Sequence, residues 1–541
     1  MGRVLVSLAV AVVTTAVLVH SGGGARGQAG GIFRISFSPA SGLDHIDPAL
    51  SFTAPGWALL DTTCARLMTY PDKPPPASFR LQPEVAASVR AGEDFKSYTF
   101  TLRRGLRFSD GSRVRASAFA HAMNRLLAPV ARSPGAIHVR DIVGAEDVLA
   151  GRRATATGIV ARGYTLTVRF TRPAPDFPAR TTMPFFCAVP PGLPSRAEGA
   201  GAFSAAGPYF VQEYRPGERV LIRRNRYYGG SRDVHVDGFD VDLRGGSPQD
   251  MIRRIDRDEV DWGHTLGAIY MDPALGLVAK YGINRSELFV RPGLTLRMLA
   301  FNAARPLFRN NPRLRRAINF ALDRTALMST AGGPVASRLT DQYVPPSVPG
   351  FRDTEIYPLD RANLVRAREL ARGNLRSAKA VFYAPDFPLP LQAAQLVKQQ
   401  LAAIGLDVAI RPIPLHIASA AYFERLAARN EPWDIALILW TPNIPDPHAY
   451  INLLLEAQFG DGATVTRFRS RVYRQAMQRA ARAPQPRVRA RAYAALDAAL
   501  ARDAAPLAAL NVVNEVTLVS SRVGCIVLRP TLDLTVACLD E

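Results

Sequence analysis

The stretch "AKAVFYAPDFPLPLQAAQLVKQQLAAIGLDVAIRPIP", Ala378 to Pro414, decides the fold class. "AKAVFYA" is an apolar run of strand length. "LPLQAAQLVKQQLAAIG" then sets Leu391, Ala394, Val397, Leu401 and Ile404 on one side of a helix, with Gly405 placed to end it in a left-handed cap. "LDVAIRPIP" returns to a strand pattern. Strand, helix and strand in succession form a βαβ unit, which requires parallel strands and a right-handed crossover. "WDIALILW", Trp433 to Trp440, adds a further strand to the same sheet.

That last strand runs into "LWTPNIPDPHAY", which carries Trp440, Thr441, Asn443 and Asp446 among Pro442, Pro445 and Pro447. Ligands of open α/β sheets gather at the carboxyl ends of strands. Prolines hold a loop in one shape at low entropic cost, so this segment suits a wall facing a cleft, or simply a stiff corner.

The first half of the chain reads differently. "YTFTLRRGLRF" (Tyr98 to Phe108) and "GYTLTVRF" (Gly163 to Phe170) alternate apolar and polar residues as half-buried strands do. Between them "SDGS" turns the chain, and "ASAFAHAMNRLLAP" has helical spacing at Phe119, Met123, Leu126 and Leu127 before Pro129 stops it. Residues 65–195 are therefore expected to form a sub-domain with an antiparallel sheet. "RVLIRRN" and "FDVDL" continue strand-like patterns beyond it.

At 541 residues, with 48% hydrophobic and 21% charged residues, the chain has several folding units and ample core. The net charge of +21 comes almost wholly from Arg, because Lys occurs only at Lys73, Lys96, Lys280, Lys379 and Lys398. The Arg residues are spread along the chain and not gathered in one patch, so no nucleic-acid partner is expected. "VLVSLAVAVVTTAVLV" after Arg3, followed by small residues up to Ala29, reads as a signal peptide over residues 1–29, a retained anchor being the alternative. The protein is expected outside the cytoplasm, in a periplasmic or extracytoplasmic space. No Cys follows the apolar run, so it is not expected to be a lipoprotein. Of the four cysteines, Cys525 and Cys538 lie close enough to favour a local disulfide. Cys64 and Cys187 stay open between a second disulfide and buried free thiols.

No G-x-S-x-G, H-E-x-x-H, S-x-x-K or phosphate-loop pattern occurs, and no metal or cofactor is expected. The pair Asp446 and His448 is too small a set for a metal. A secreted hydrolase whose catalytic groups lie outside any short motif is the alternative to a binding protein.

"LDHIDPAL" (Leu43 to Leu50), "LMTYPD" with "LQPEVAASVRAGEDFKSYTFTLRRGLRFSDGSRVRASAFAHAMNRL", "GPYFVQEYRPGERVLIRRNRYY", "LAFNAARPLFRNNPRLRRAINFALDRTAL", "YVPPSVPG" and "WDIALILWTPNIPDPHAYI" together resemble the extracytoplasmic solute-binding proteins of ABC importers, peptide/nickel class. The resemblance implies a two-lobed, periplasmic-binding-protein-like α/β fold of type II with an extra sub-domain in the first lobe. Residues 32–295 and 506–541 would form the first lobe and 296–505 the second, with crossings near "LRMLAFN" and "APLAALNVV". It further implies a monomer that captures a small solute, peptide-like or another compact polar molecule, and delivers it to permease subunits without reacting with it. The ligand-facing candidates are Trp57, Arg297, Asn302, Trp440, Thr441, Asn443 and Asp446. In "NNPRLRRAINFALDR", Asn311 is expected to cap a helix opened by Pro312, with Arg315 and Arg316 as surface charges. Oligopeptide binders of the family carry an acid three positions before the Asp/Glu-Pro pair. Asn443 stands there in this chain, and an amide cannot supply the ionic part of an ammonium contact.

Overall fold

The structure is a computed structural model that describes residues 30–540 apart from 38–42, 72, 74–76, 265–272, 416–419, 457–462, 484 and 526–533. The expected leader, residues 1–29, lies outside the described residues. Among the described residues no helix is long and apolar enough to cross a membrane.

The βαβ unit forms where its pattern predicts. Strand Lys379–Pro385, helix Pro388–Ala402 and strand Asp407–Ile413 follow in order, and the two strands pair in parallel. The helix buries Ala394, Val397 and Leu401. It ends with Gly405 N–H donating to Ala402 O and Leu406 N–H to Leu401 O, while Gly405 adopts φ +84°. That geometry is open to glycine without a Cβ penalty. Strand Ile435–Trp440 lies parallel to Lys379–Pro385 on its other side. Beyond it come Leu288–Phe301, Leu507–Leu518 and Ser337–Leu339, all antiparallel neighbours, completing a six-stranded mixed sheet.

A second sheet has five strands in the order Trp262–His264, Ile32–Phe37, Gly238–Asp242, Arg219–Arg224 and Tyr209–Arg215. A third, antiparallel and four-stranded, joins Ala86–Ala91, Ser97–Leu102, Thr165–Arg169 and Ile159–Arg162. Helix Ala116–Leu127 buries Phe119, Met123, Leu126 and Leu127 in the core of that third sheet. The alternation read from Tyr98 to Phe108 is one strand only as far as Leu102. Gly105 at φ +93° turns the chain, and Leu106 and Phe108 return to the same core after the turn.

Two long strands connect the bodies. Leu288 and Leu518 share a small core with Met251 and Ile255, whereas residues from Leu294 and up to Val512 on the same strands belong to the core of the six-stranded sheet. Their pairing is regular from Leu288 to Arg291 and breaks before Thr295. Within the break, a β-carbon on Gly293 would collide with the Val513 carbonyl oxygen, so the two crossing backbones approach too closely for any side chain. Both cysteine pairs are disulfides, with Cα–Cα separations of 5.2 Å for Cys64–Cys187 and 5.0 Å for Cys525–Cys538.

Asn311 caps helix Pro312–Ala321 through its side chain, which accepts from Leu314 N–H. Arg315 departs from expectation. It is buried, and its guanidinium donates to Ala504 O and Phe308 O. Its stem fits among apolar neighbours while the carbonyls take the head group, so an Arg on a helix face that reads polar was drawn inside.

Candidate functional site

The site builds outward from the end of strand Ile435–Trp440. Trp440 is half-buried, its Nε1–H donates to Ala449 O at 2.8 Å, and its ring meets Phe423 edge-on at 5.8 Å. The indole is thereby fixed against the first turn of helix Pro447–Glu456. Thr441 is exposed and its hydroxyl lies 2.9 Å from that of Thr295 on the neighbouring crossing strand. Asn443 Nδ2 lies 3.0 Å from His138 Nε2. Ile444 and Ala449 are buried in the core of the four-stranded sheet. The proline-stiffened loop of one body therefore plugs into the other.

On the opposite wall, "LDHIDPAL" explains how Trp57 is placed. Asp44 accepts from the hydroxyls of Ser51 and Thr53 and from Thr53 N–H. Asp47 is paired bidentately with buried Arg125 at 2.9 and 2.6 Å and also accepts from Ala49 and Ala200 N–H. These carboxylates knot the loop that leads into helix Ala54–Thr63, where Thr53 caps the N-terminus. Trp57 Nε1–H donates to Ser51 O, and its ring packs edge-on against Phe185 at 5.5 Å. Phe185 in turn lies 5.8 Å from the His138 ring. A continuous chain of contacts thus runs Trp57, Phe185, His138, Asn443 across the seam.

The electrostatics of the seam are set by burial. His138 is pushed down to about 3, first by burial and then by the Arg180 guanidinium, so it is neutral. Neutral His138 accepts at Nε2 from the Asn443 amide and therefore carries its proton on Nδ1. Arg180 is neutralised by bidentate Asp176 and by Asp141. His448, also held below its ordinary range by burial, reaches Asp176 at 3.8 Å and the Tyr493 hydroxyl at 3.2 Å.

Not every candidate arrives here. Asp446 is consumed within its own body. Arg489 binds both its oxygens at 2.6 and 2.7 Å, and Asp446 Oδ1 accepts His448 N–H at the start of the helix. Its Asp-Pro context makes it a cap and an ion-pair partner. Asn302 lies at the other end of the strand pair. It donates to Trp433 O and accepts from Ala304 N–H, beside the start of the strand whose finish carries Trp440. Antiparallel pairing separates the two ends, so proximity to the crossing in sequence did not bring Asn302 to the group. Arg297 lies in the row beneath Thr295 and Thr441, buried, donating to Leu327 O and to the Thr330 hydroxyl. Burial alone lowers it to about 10. Reading the sequence did not single out Thr295, His138 or Phe185. A lone His in "PGAIHV" and a Thr within an extended run carry no signal that would have found them.

Two sheet-centred bodies joined by a pair of crossing strands, with aromatic and amide side chains meeting where they touch, define a two-lobed binding protein. The chain belongs to the bacterial extracellular solute-binding proteins, family 5 Middle, whose pattern matches residues 80–461. That is a family of binding proteins, which favours solute capture over the hydrolase alternative. The chain is similar to the oligopeptide-binding protein OppA of Bacillus subtilis strain 168, at 23% identity over 402 residues, 70% of each chain. It is also similar to the probable D,D-dipeptide-binding periplasmic protein DdpA of Escherichia coli K12, at 22% identity over 423 residues, 76% of this chain and 75% of that one. Among solved structures, clavulanic acid biosynthesis oligopeptide binding protein 2 superposes with a TM-score of 0.86 at 21% identity, covering 95% of this chain and 96% of its own. Haemophilus influenzae OppA in complex with RPPGFSPFR gives 0.71 at 20% identity, covering 95% and 100%. These likenesses establish the two-lobed fold.

Proposed function

We propose that the chain is the solute-binding component of an ABC importer, exported by its leader and acting as a monomer. It clamps a peptide-like or other compact polar solute between a first lobe, residues 32–295 with 506–541, and a second, residues 296–505. The closed form is then read by a membrane permease. The observation that supports this reading is the contact chain from Trp57 through Phe185 and His138 to Asn443, which links the body of the four-stranded sheet to the loop after strand Ile435–Trp440. The names of the similar proteins, oligopeptide- and dipeptide-binding, favour a peptide-like solute. Asn443 in place of an acid, with Asp446 already bound to Arg489, argues that a free amino terminus is not what the second lobe recognises. A ligand bound preferentially to the closed form shifts the population toward it.

A thermal-shift screen over peptides, sugars and metal chelates tests the reading. A bound solute at about 100 times its Kd adds about 2.7 kcal/mol to stability. Trp57→Ala and Trp440→Ala are each expected to abolish that shift, since aromatic area supplies much of the contact energy. Unchanged shifts in both variants would remove the seam as the site. Steady hydrolytic turnover of ester, peptide or glycoside probes would instead favour the hydrolase.

A further inference from the structure

Arg297 and Asn511 stand directly opposite each other in the pairing of the two crossing strands. Register partners in a sheet project to the same face, so Arg297 and Asn511 face the same side of the sheet, immediately before a second shift of register between Arg297 and Met298. Asn511 is 0% exposed, and among the described residues neither its Nδ2 nor its Oδ1 has a partner. Arg297 is 5% exposed, and among the described residues it donates only to the Leu327 carbonyl and the Thr330 hydroxyl, both neutral. No carboxylate pairs with it among the described residues.

Two other buried arginines of the same lobe, Arg324 and Arg315, give the comparison. Arg324 donates to Ala509 O, Asn319 O, Pro358 O and Asn319 Oδ1. It has four acceptors where Arg297 has two, while Arg315, also buried, has two neutral carbonyls; what sets Arg297 apart is the partnerless Asn511 amide opposite it. A buried cation without a counter-charge beside an unpaired amide is costly in a core, and such groups need a reason to persist. Nearness to the exposed end of the strand pair supplies one. Thr295 lies two residues along the strand from Arg297, roughly 7 Å away, and its hydroxyl bonds that of Thr441 at the exposed mouth of the seam.

We propose that the second lobe anchors its solute through an oxyanion, received by the Arg297 guanidinium and the Asn511 amide beneath the Thr295–Thr441 pair. This rests on the solute-binding reading above and inverts the polarity expected of an ammonium-binding peptide carrier. The guanidinium fork matches a carboxylate or a phosphate in two-pronged geometry, and the Asn511 amide N–H adds a third donor. Both sources present the same chemistry to the site.

Calorimetric titration and thermal shift of the full mature chain test it with three probes: N-acetyl-trialanine, trialanine amide and inorganic phosphate. An oxyanion probe is expected to bind, and trialanine amide, which keeps its amine and lacks an oxyanion, is not. N-acetyl-trialanine alone would point to a carboxylate solute and phosphate alone to a phosphorylated one. Arg297→Gln is expected to weaken the oxyanion probe about 100-fold. Asn511→Asp is nearly isosteric and supplies the missing carboxylate from within. Its free form is expected to melt above the wild type, with no further shift on adding the probe, which decides the matter even where Arg297→Gln fails to fold. Equal binding of trialanine amide and N-acetyl-trialanine, binding of the amide alone, or wild-type affinity in either variant overturns the inference and leaves solute capture standing. Silence from all three probes while a solute of the wider screen binds also overturns it. Silence throughout that screen sinks the solute-binding reading itself.

Discussion

Asn443 Nδ2 lies 3.0 Å from His138 Nε2, although the two residues are 305 positions apart. One belongs to the loop that closes the six-stranded sheet, the other to the body built on the four-stranded sheet. The neutral, buried imidazole takes the amide as its donor, and Ile444 and Ala449 follow it into the same core. A loop stiffened by Pro442, Pro445 and Pro447 can make that insertion without paying much entropy.

Removing the amide exposes what the contact is worth. Asn443→Ala leaves a buried ring nitrogen without its donor, and the expected loss is about 1–3 kcal/mol. Urea denaturation at pH 7 reads it. A midpoint equal to the wild type would mean that the seam is not held by this bond.

Acid and alkali should pull stability in opposite directions through two buried groups. His138 titrates near 3 in the folded chain against an ordinary 6.5, because burial and Arg180 disfavour its charge. Between those values the unfolded chain holds the proton and the folded chain does not, so stability falls as pH drops through that window. Asp497, buried and accepting only from Tyr343 N–H, Val344 N–H and Gln342 Nε2–H, is raised from 3.8 to about 7 by burial. There the folded chain keeps the proton, so stability falls as pH rises between about 4 and 7. Each slope is at most about 1.4 kcal/mol per pH unit. Denaturation series on His138→Asn and Asp497→Asn separate them. The first variant should gain stability relative to wild type as pH falls, and the second should gain as pH rises. Parallel curves for all three proteins would refute both assignments.

Gly293 sits where the crossing strands touch, so Gly293→Ala forces its new methyl against the Val513 carbonyl. The expected cost is about 1–3 kcal/mol, typical of overpacking against atoms that cannot turn aside. The same change should restrict any opening between lobes, since the break in pairing between Arg291 and Thr295 lies at that glycine. Small-angle scattering with and without solute would show it as a reduced change in radius of gyration. A variant as stable and as responsive as the wild type would exclude Gly293 from the hinge.

The two disulfides should differ in value. Cys64–Cys187 closes a separation of 123 residues and Cys525–Cys538 one of 13. In the chain-entropy picture these are worth about 5 and about 3 kcal/mol. Thermal melts of Cys64→Ala/Cys187→Ala and Cys525→Ala/Cys538→Ala double variants compare them directly. The larger drop is expected for the first pair, and the reverse order would mean that the long loop is already compact when unfolded.

Much of the second lobe was legible because its signals are local. The 3.6-residue spacing from Leu391 to Leu401, Gly405 after it, Asn311 before Pro312 and the apolar run into Trp440 all act within a few residues, and each formed as read. The candidate site was legible only in part. Trp440, Thr441 and Asn443 announce themselves on a rigid loop at a strand end, and Trp57 is brought to them through Phe185 and His138. Asn302 reads as well as Arg297 does, yet antiparallel register sends it to the far end of the sheet.

What the amino-acid sequence determined by itself is therefore the kind of fold and the stiff segment at the strand end proposed to face the solute, since periodicity, capping and proline stiffness need no distant partner. Only the tertiary structure decided which charges are satisfied. Among the described residues it gave Asp446 to Arg489, left Arg297 without an acid and set Asn511 opposite it. An ionic or hydrogen-bonding group has the same chemistry wherever it stands in the chain, and its role is set by which groups the folded backbone brings within about 3 Å of it.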